Sequence, residues 1–165
     1  AMVRRVVEPL GVELILEPGR MIVGNAGVLV ATTLYVKEGE ARRFLIVDAA
    51  MNDLMRPALY DARHEIWPLA AATTDAGVSY DVVGPVCEST DIFARGAVVP
   101  TLAAGDRVAL MSAGAYGAVL SNQYNARLLV PEVLVSGARF AVIRRRPTFD
   151  EMIALEAPAP WLMKT

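Results

Sequence analysis

Apolar positions along this chain fall in short blocks punctuated by Gly, Pro, Asp and Asn, and most blocks are too short for helices. Residues 2–9 (MVRRVVEP) have the look of a helix end, stopped near Pro9 and Gly11. Residues 12–16 (VELIL) then read as a short strand buried on both faces, as in a parallel sheet. No helix–strand alternation follows, and the pattern turns β-like. Residues 22–36 are rich in Val, Ile, Leu and Thr, with Gly24 and Gly27 placed as bends or bulges. Further strands are expected at 43–47, 79–83, 107–111, 115–120, 132–135 and 139–144. Between them, residues 52–62 (NDLMRPALYDA) suit a short helix or an ordered loop on a barrel rim. Near the end, Thr148 and Glu151 have capping-box spacing and open a short helix to about Leu155.

Many short strands with regular turn signals imply a mainly β fold, an antiparallel sheet closed into a barrel or sandwich. The lone parallel-type strand at 12–16 expects neighbours on both edges. Its isolation is the first hint that the chain is part of something larger.

Composition narrows the function classes. Hydrophobic residues make up 55% of the chain, and mean hydropathy is +0.39. No apolar stretch approaches the roughly 20 residues a membrane span needs, so the excess implies a filled core plus a surface covered by another domain or subunit. Net charge is −2, with 16 basic and 18 acidic residues, which gives no electrostatic reason to expect nucleic acid or membrane binding. Arg144-Arg145-Arg146 reads as a solvated strand end. One cysteine excludes an internal disulfide and fits a reducing compartment. No signal peptide is evident, so the cytoplasm is the expected location. An Ala precedes Met2, as in a tag remnant or a chain that begins mid-protein.

Four segments carry candidate chemistry. Glu17-Pro18-Gly19-Arg20 follows the expected strand, where α/β folds place ligand groups. Gly19 permits close backbone approach, and Arg20 offers a planar fork for carboxylate or phosphate. An ordinary Pro-Gly turn with a surface ion pair fits those residues as well. In Asp53-Leu54-Met55-Arg56-Pro57-Ala58-Leu59-Tyr60, helical spacing would set Arg56 and Tyr60 on one side to hold a polar substrate end. His64 nearby is read as structural. Residues 84–91 (GPVCESTD) gather a thiol, two carboxylates and two hydroxyls, which places Cys87 in a cleft and not in a core. With no second Cys and His64 as the only histidine, a metal site is not expected. Residues 112–118 (SAGAYGA) set Tyr116 among small neighbours, with room for a ligand or simply a softened strand around a core tyrosine.

In order, EPGR, DLMRPALY, GPVCESTD and GAYGAVLSNQYN resemble the diaminopimelate decarboxylase branch of the fold-type III pyridoxal-phosphate enzymes, over about residues 14–146. Cys-Glu-Ser together with Arg56 and Tyr60 looks less like the ornithine branch. The resemblance implies a subunit with an N-terminal α/β barrel and a C-terminal β-domain, working as a homodimer with shared active sites. Residues 1–20 would be the last helix end and strand of that barrel, and residues 21–165 the β-domain. It further implies pyridoxal 5′-phosphate as cofactor, with Glu17, Gly19, Arg20 and Tyr116 beside it. Arg20, Arg56, Tyr60, Glu88 and Tyr116 would bind meso-diaminopimelate, on the route to L-lysine and CO2. Cys87 would be the catalytic proton donor, given across the dimer. Another decarboxylase of the group, or a non-catalytic β-domain, are the alternatives.

A substrate with two zwitterionic ends calls for arginines against carboxylates and a glutamate against an ammonium. The cofactor-bonding lysine of this family belongs on an early barrel strand. The two lysines here, Lys37 and Lys164, match no such motif. The chain alone is therefore expected not to decarboxylate.

Overall fold

The computed structural model describes residues 2–69 and 76–162. Helix α1 (Met2–Val7) runs into a tight turn, Glu8–Leu10, and ends at Gly11, whose φ of 63° is the left-handed conformation that favours glycine. The strand expected at 12–16 does not form. Those residues take no regular structure, and Ile15 and Leu16 are exposed. A parallel-type strand is stable only with a neighbour to satisfy its N–H and C=O groups, and none lies alongside among the described residues. Helix α2 (Gly19–Val23) and a turn at Gly24–Ala26 follow, so the predicted strand over 22–36 begins only at Leu29.

Six strands form the main sheet: β1 (Leu29–Glu38), β2 (Arg43–Val47), β3 (Ile66–Pro68), β4 (Val78–Val83), β5 (Ile92–Val99) and β6 (Arg107–Leu110). Their order is β3-β6-β1-β2-β4-β5, and the sheet curls into a nearly closed, barrel-like form. β1 is long because it serves two partners. Its first half pairs with β6 from Leu29 to Thr32, and its second half pairs with β2 from Thr33 onward. At the change-over a bulge interrupts the register, and Asp48 stitches it by accepting from Thr32 N–H at 2.7 Å. All neighbours are antiparallel except β2 and β4, which run parallel and therefore need a long crossover between them. That crossover carries helix α3 (Arg56–Tyr60) and β3.

Alternation along the strands fills the interior. Leu45 and Val47 on β2, Tyr80 and Val82 on β4, Phe93 and Val99 on β5, and Val108 and Leu110 on β6 are buried, joined by Ala31 and Leu54. The mainly β reading therefore holds, with two strands unforeseen. β5 is broken in pattern by Arg95 and by Gly96, which sits at φ 62°. β3 spans three residues and ends in Pro68, as an edge strand tolerates. The strand expected at 115–120 is instead a loop and a tight turn, Ala118–Leu120. Left-handed backbone at Ser112 and Tyr116 (φ 57° at each) is incompatible with a strand there.

Apart from this sheet, β7 (Glu132–Ser136) and β8 (Arg139–Arg144) make a two-stranded ribbon, turned at Gly137. Phe140, Val135, Val142 and Ile143 of the ribbon are exposed. Arg144 pairs with Glu132 across the ribbon at 2.8 Å, and Arg145 pairs with Glu151. Helix α4 (Phe149–Ile153) starts with the foreseen capping box: Thr148 Oγ1 accepts from Glu151 N–H, and the Glu151 carboxylate accepts from Thr148 N–H. No helix among the described residues is long and apolar enough to cross a membrane.

Candidate functional site

Residues 84–91 leave β4 and return as β5, so the loop hangs at the end of two well-paired strands. Its shape is set by the side chain of Asp91, which is 3% exposed. One carboxylate oxygen accepts from Val86 N–H at 2.8 Å and the other from Met51 N–H at 2.7 Å. The backbone closes the turn through Gly84 N–H to Asp91 C=O and Asp91 N–H to Glu88 C=O. Gly84 has to be glycine, because a Cβ there would sit 2.3–2.6 Å from the Asp91 carboxylate. Cys87 is held exposed in this loop. Glu88 accepts from Thr90 N–H at 3.2 Å and from Ser89 Oγ at 3.1 Å, and Tyr124 Oη donates to its other oxygen at 3.4 Å. The Thr90 and Ser89 bonds hold the Glu88 carboxyl below its ordinary range, so it is an anion at neutral pH.

Met51 lies just upstream of α3, and thus Asp91 ties the Cys87 loop to the segment bearing Arg56. Pro57 in the first turn of α3 costs the helix nothing, since its missing N–H would be unpaired there anyway. Arg56 is 7% exposed, whereas Tyr60, one turn on, is 62% exposed. The expected pair thus shares a helix but occupies two environments. His64 Nδ1 lies 2.7 Å from Met111 C=O, which requires that nitrogen to be the donor. His64 Nε2 is then an acceptor, filled by Arg56 Nη1–H at 3.2 Å. Burial holds the imidazole below its ordinary pKa, and the neighbouring Arg56 and Arg20 charges add to the effect, so His64 is neutral. The structural reading of His64 stands. Among the described residues Arg56 itself meets no carboxylate, and its Nε–H is buried without a partner.

A second polar cluster abuts this one. Arg127 Nε donates to Asn52 Oδ1 at 3.0 Å, and Nη2 donates to Asp48 C=O at 2.6 Å and approaches Asp53 at 3.5 Å. Asn52, fully buried, donates to Asn122 C=O, and its own C=O accepts from Asn122 N–H. The loop carrying Tyr124 is thereby anchored beside Arg56. Burial raises the pKa of both Asp53 and Asp91, and their hydrogen bonds offset it only in part. Sequence reading passed over Asn52, Asp53, Asp91, Tyr124 and Arg127 as site residues. The one available signal was the density of Asn and Asp flanking Arg56 and Tyr116.

Glu17, Gly19 and Arg20 are all exposed at the start of α2. Tyr116, half-exposed, comes to the same neighbourhood through a backbone contact. Gly114 N–H donates to Gly24 C=O and Ala113 N–H to Gly27 C=O. A Cβ on Gly114 would lie 2.1 Å from Val23 C=O, so only glycine lets the two loops touch. The arginine of EPGR and the tyrosine of GAYG are hence presented by one joined unit, and the charge of Arg20 reaches His64. Lys37 is exposed on β1 opposite Phe44, away from both groups in the sheet. Lys164 falls outside the described residues.

Residues 20–114 match the family model for the C-terminal sheet domain of pyridoxal-dependent decarboxylases. The chain belongs to this family. Among curated relatives in the family, diaminopimelate decarboxylase of Zymomonas mobilis is 48% identical over 163 residues, 98% of this chain and 38% of that protein. The enzyme of the same name from Haemophilus influenzae is 48% identical over 145 residues, 88% of this chain and 35% of that protein. The chain spans well under half the length of these relatives. A diaminopimelate decarboxylase of M. jannaschii, solved with L-lysine, superposes with a TM-score of 0.85 at 34% identity, covering 98% of this chain and 38% of that one. Arginine decarboxylase of Paramecium bursaria Chlorella virus, at 18% identity and a TM-score of 0.60, shares the fold alone.

Proposed function

We propose that this chain is the C-terminal part of a pyridoxal-phosphate-dependent diaminopimelate decarboxylase, a carboxy-lyase that makes L-lysine and CO2 in the last step of lysine biosynthesis. Residues 1–20 belong in this reading to the end of an upstream α/β barrel and residues 21–165 to the sheet domain. What carries it is Arg56: a buried guanidinium with no carboxylate partner and an orphaned Nε–H among the described residues. Such a group is costly unless an anion comes to it, and a substrate carboxylate is the complement. Similarity to diaminopimelate decarboxylases over nearly the whole chain supports the choice of substrate.

The residues present suit the cofactor. The Arg20 side chain has no hydrogen-bond or ion-pair partner among the described residues, and Gly19 has open space at its Cα. With Glu17 and the half-exposed Tyr116 phenol, they offer one free cation and a polar rim to an anionic group. Pyridoxal phosphate, when bound, supplies the electron sink for the charge left at the α-carbon as CO2 departs. Arg20 holds the phosphate side and reaches a substrate carboxylate. Arg56 and Tyr60 bind the distal carboxylate, with Arg56 kept in place by neutral His64. Glu88, an anion, accepts the distal ammonium. Cys87 Sγ–H gives its proton to the α-carbon, across a homodimer interface. The exposed apolar side chains at 12–16 and on the β7–β8 ribbon are surface that a barrel domain and a second subunit would cover. The cytoplasm is the compartment that suits a free thiol in this role.

The test is turnover by the full-length protein. Release of CO2 from meso-diaminopimelate, far faster than from ornithine or arginine, is the expected result. A preference for ornithine or arginine would overturn the assignment of Arg56, Tyr60 and Glu88.

A further inference from the structure

We infer that Asp91 is a positioning residue for the reaction: its carboxylate clamps the Cys87–Glu88 loop to the segment that carries Arg56. The inference rests on the roles proposed above for Cys87 and Glu88, and goes beyond them to a residue that touches neither substrate nor cofactor. Three observations converge on it. The two carboxylate oxygens of Asp91 divide their work between two pieces of chain distant in sequence, Val86 N–H in the thiol loop and Met51 N–H ahead of α3. The group is 3% exposed and makes no ion pair among the described residues, so the clamp is built from backbone N–H groups around a desolvated carboxylate. Gly84 leaves the space that this carboxylate fills, since any Cβ there would collide with it.

Beside the clamp, the two halves are joined by a weaker bond from Thr90 Oγ1 to Met51 Sδ at 3.6 Å and by the Tyr124–Glu88 bond. Cys87 makes no side-chain bond of its own among the described residues, and Glu88 is held by its immediate neighbours and by Tyr124. A carboxylate that accepts at both oxygens cannot be replaced by an amide. In Asp91→Asn one of the two N–H groups would face an NH2 donor. Gly84→Ala attacks the same clamp from the opposite side, by pushing the carboxylate out.

The readout is the hydrogen-exchange rate of the Val86 and Met51 amides at one fixed pH, measured on the full-length polypeptide that carries this chain. In Asp91→Asn and Gly84→Ala these amides are expected to exchange at least about fivefold faster than in wild type, because the loop opens locally. Val108→Ala, a core cavity on β6, separated from β4 by β1 and β2, lowers Tm without changing that rate. It thus separates positioning from general loss of stability. Wild-type rates in both loop variants would overturn the inference. Should neither variant fold, hydrogen exchange on the wild type decides. The Val86 and Met51 amides are expected to exchange slowly and together, and open-loop exchange at either sinks the clamp. These measurements do not involve substrate, so they stand or fall apart from the decarboxylase reading, which only meso-diaminopimelate turnover judges.

Discussion

Two arginines of the chain, Arg127 and Arg56, are treated in opposite ways. Arg127 is wired on every side: Asn52, the Asp48 carbonyl and the Asp53 carboxylate accept from it. Arg56, more deeply buried, has only the neutral His64 as an acceptor among the described residues and keeps one N–H unsatisfied. A closed network of this kind serves the fold, whereas an open one costs the fold and is retained for a ligand. The contrast assigns structure to one and recognition to the other, and it can be broken experimentally.

The largest effect is expected at Arg56. In the full-length enzyme, Arg56→Met should lower kcat/KM for meso-diaminopimelate by about a thousandfold, or about 4 kcal/mol of lost interaction with a charged group. Its thermal stability should change by no more than about 1 kcal/mol, because a buried charge without a counter-charge is removed. A large stability loss with unchanged turnover would reverse the contrast. Arg127→Met should do the converse. Leaving Asp53 buried without its cation should cost about 2 kcal/mol in urea unfolding, with a much smaller change in kcat/KM.

Acidification probes the two clusters with opposite signs. The folded-state pKa of His64 lies below its ordinary 6.5, so the unfolded chain takes up that proton first and stability is lost as pH falls from about that value. Protonation also removes the acceptor for Arg56 Nη1–H. Asp53 and Asp91 have folded-state pKa values above their ordinary 3.8, so the folded chain binds those protons first and gains stability as pH falls toward that value. Urea midpoints measured against pH should therefore fall first and recover in part, and His64→Gln should remove only the first phase. The smallest effect belongs to Glu151, whose carboxyl is held down to about 2 by Arg145. Its exposed ion pair contributes above the ordinary 4.5 and is lost as pH falls through about 2, so Glu151→Gln should shift Tm slightly at neutral pH.

The regular strands were legible because their periodicity is local. The expected bounds at 43–47 and 139–144 match β2 and β8, and the capping box at Thr148 formed as its spacing demands. What escaped depended on partners far along the chain. Residues 12–16 have a strand's composition and no strand to join. The stretch at 115–120 has the residues of a strand, yet Gly114 is pinned against Val23 and Gly24, and the backbone turns at Tyr116. The site divides the same way. Cys87, Glu88 and Arg56 stand out by residue type in short motifs. Asp91, Asn52 and Arg127 act through bonds spanning tens of residues, which no spacing reveals.

The parallel pairing of β2 with β4 has a consequence for how the molecule assembles. Hairpins such as β7–β8 close between neighbours in sequence, but β2 and β4 meet only after residues 48–77 have been looped out between them. Loop closure of that length makes it a late event in folding. Asn52, Asp53, Arg56, Tyr60 and His64 all sit in the looped-out stretch, so the recognition pocket is set only once this non-local contact of the sheet is in place. Substitutions there should leave folding rates nearly unchanged and speed unfolding instead.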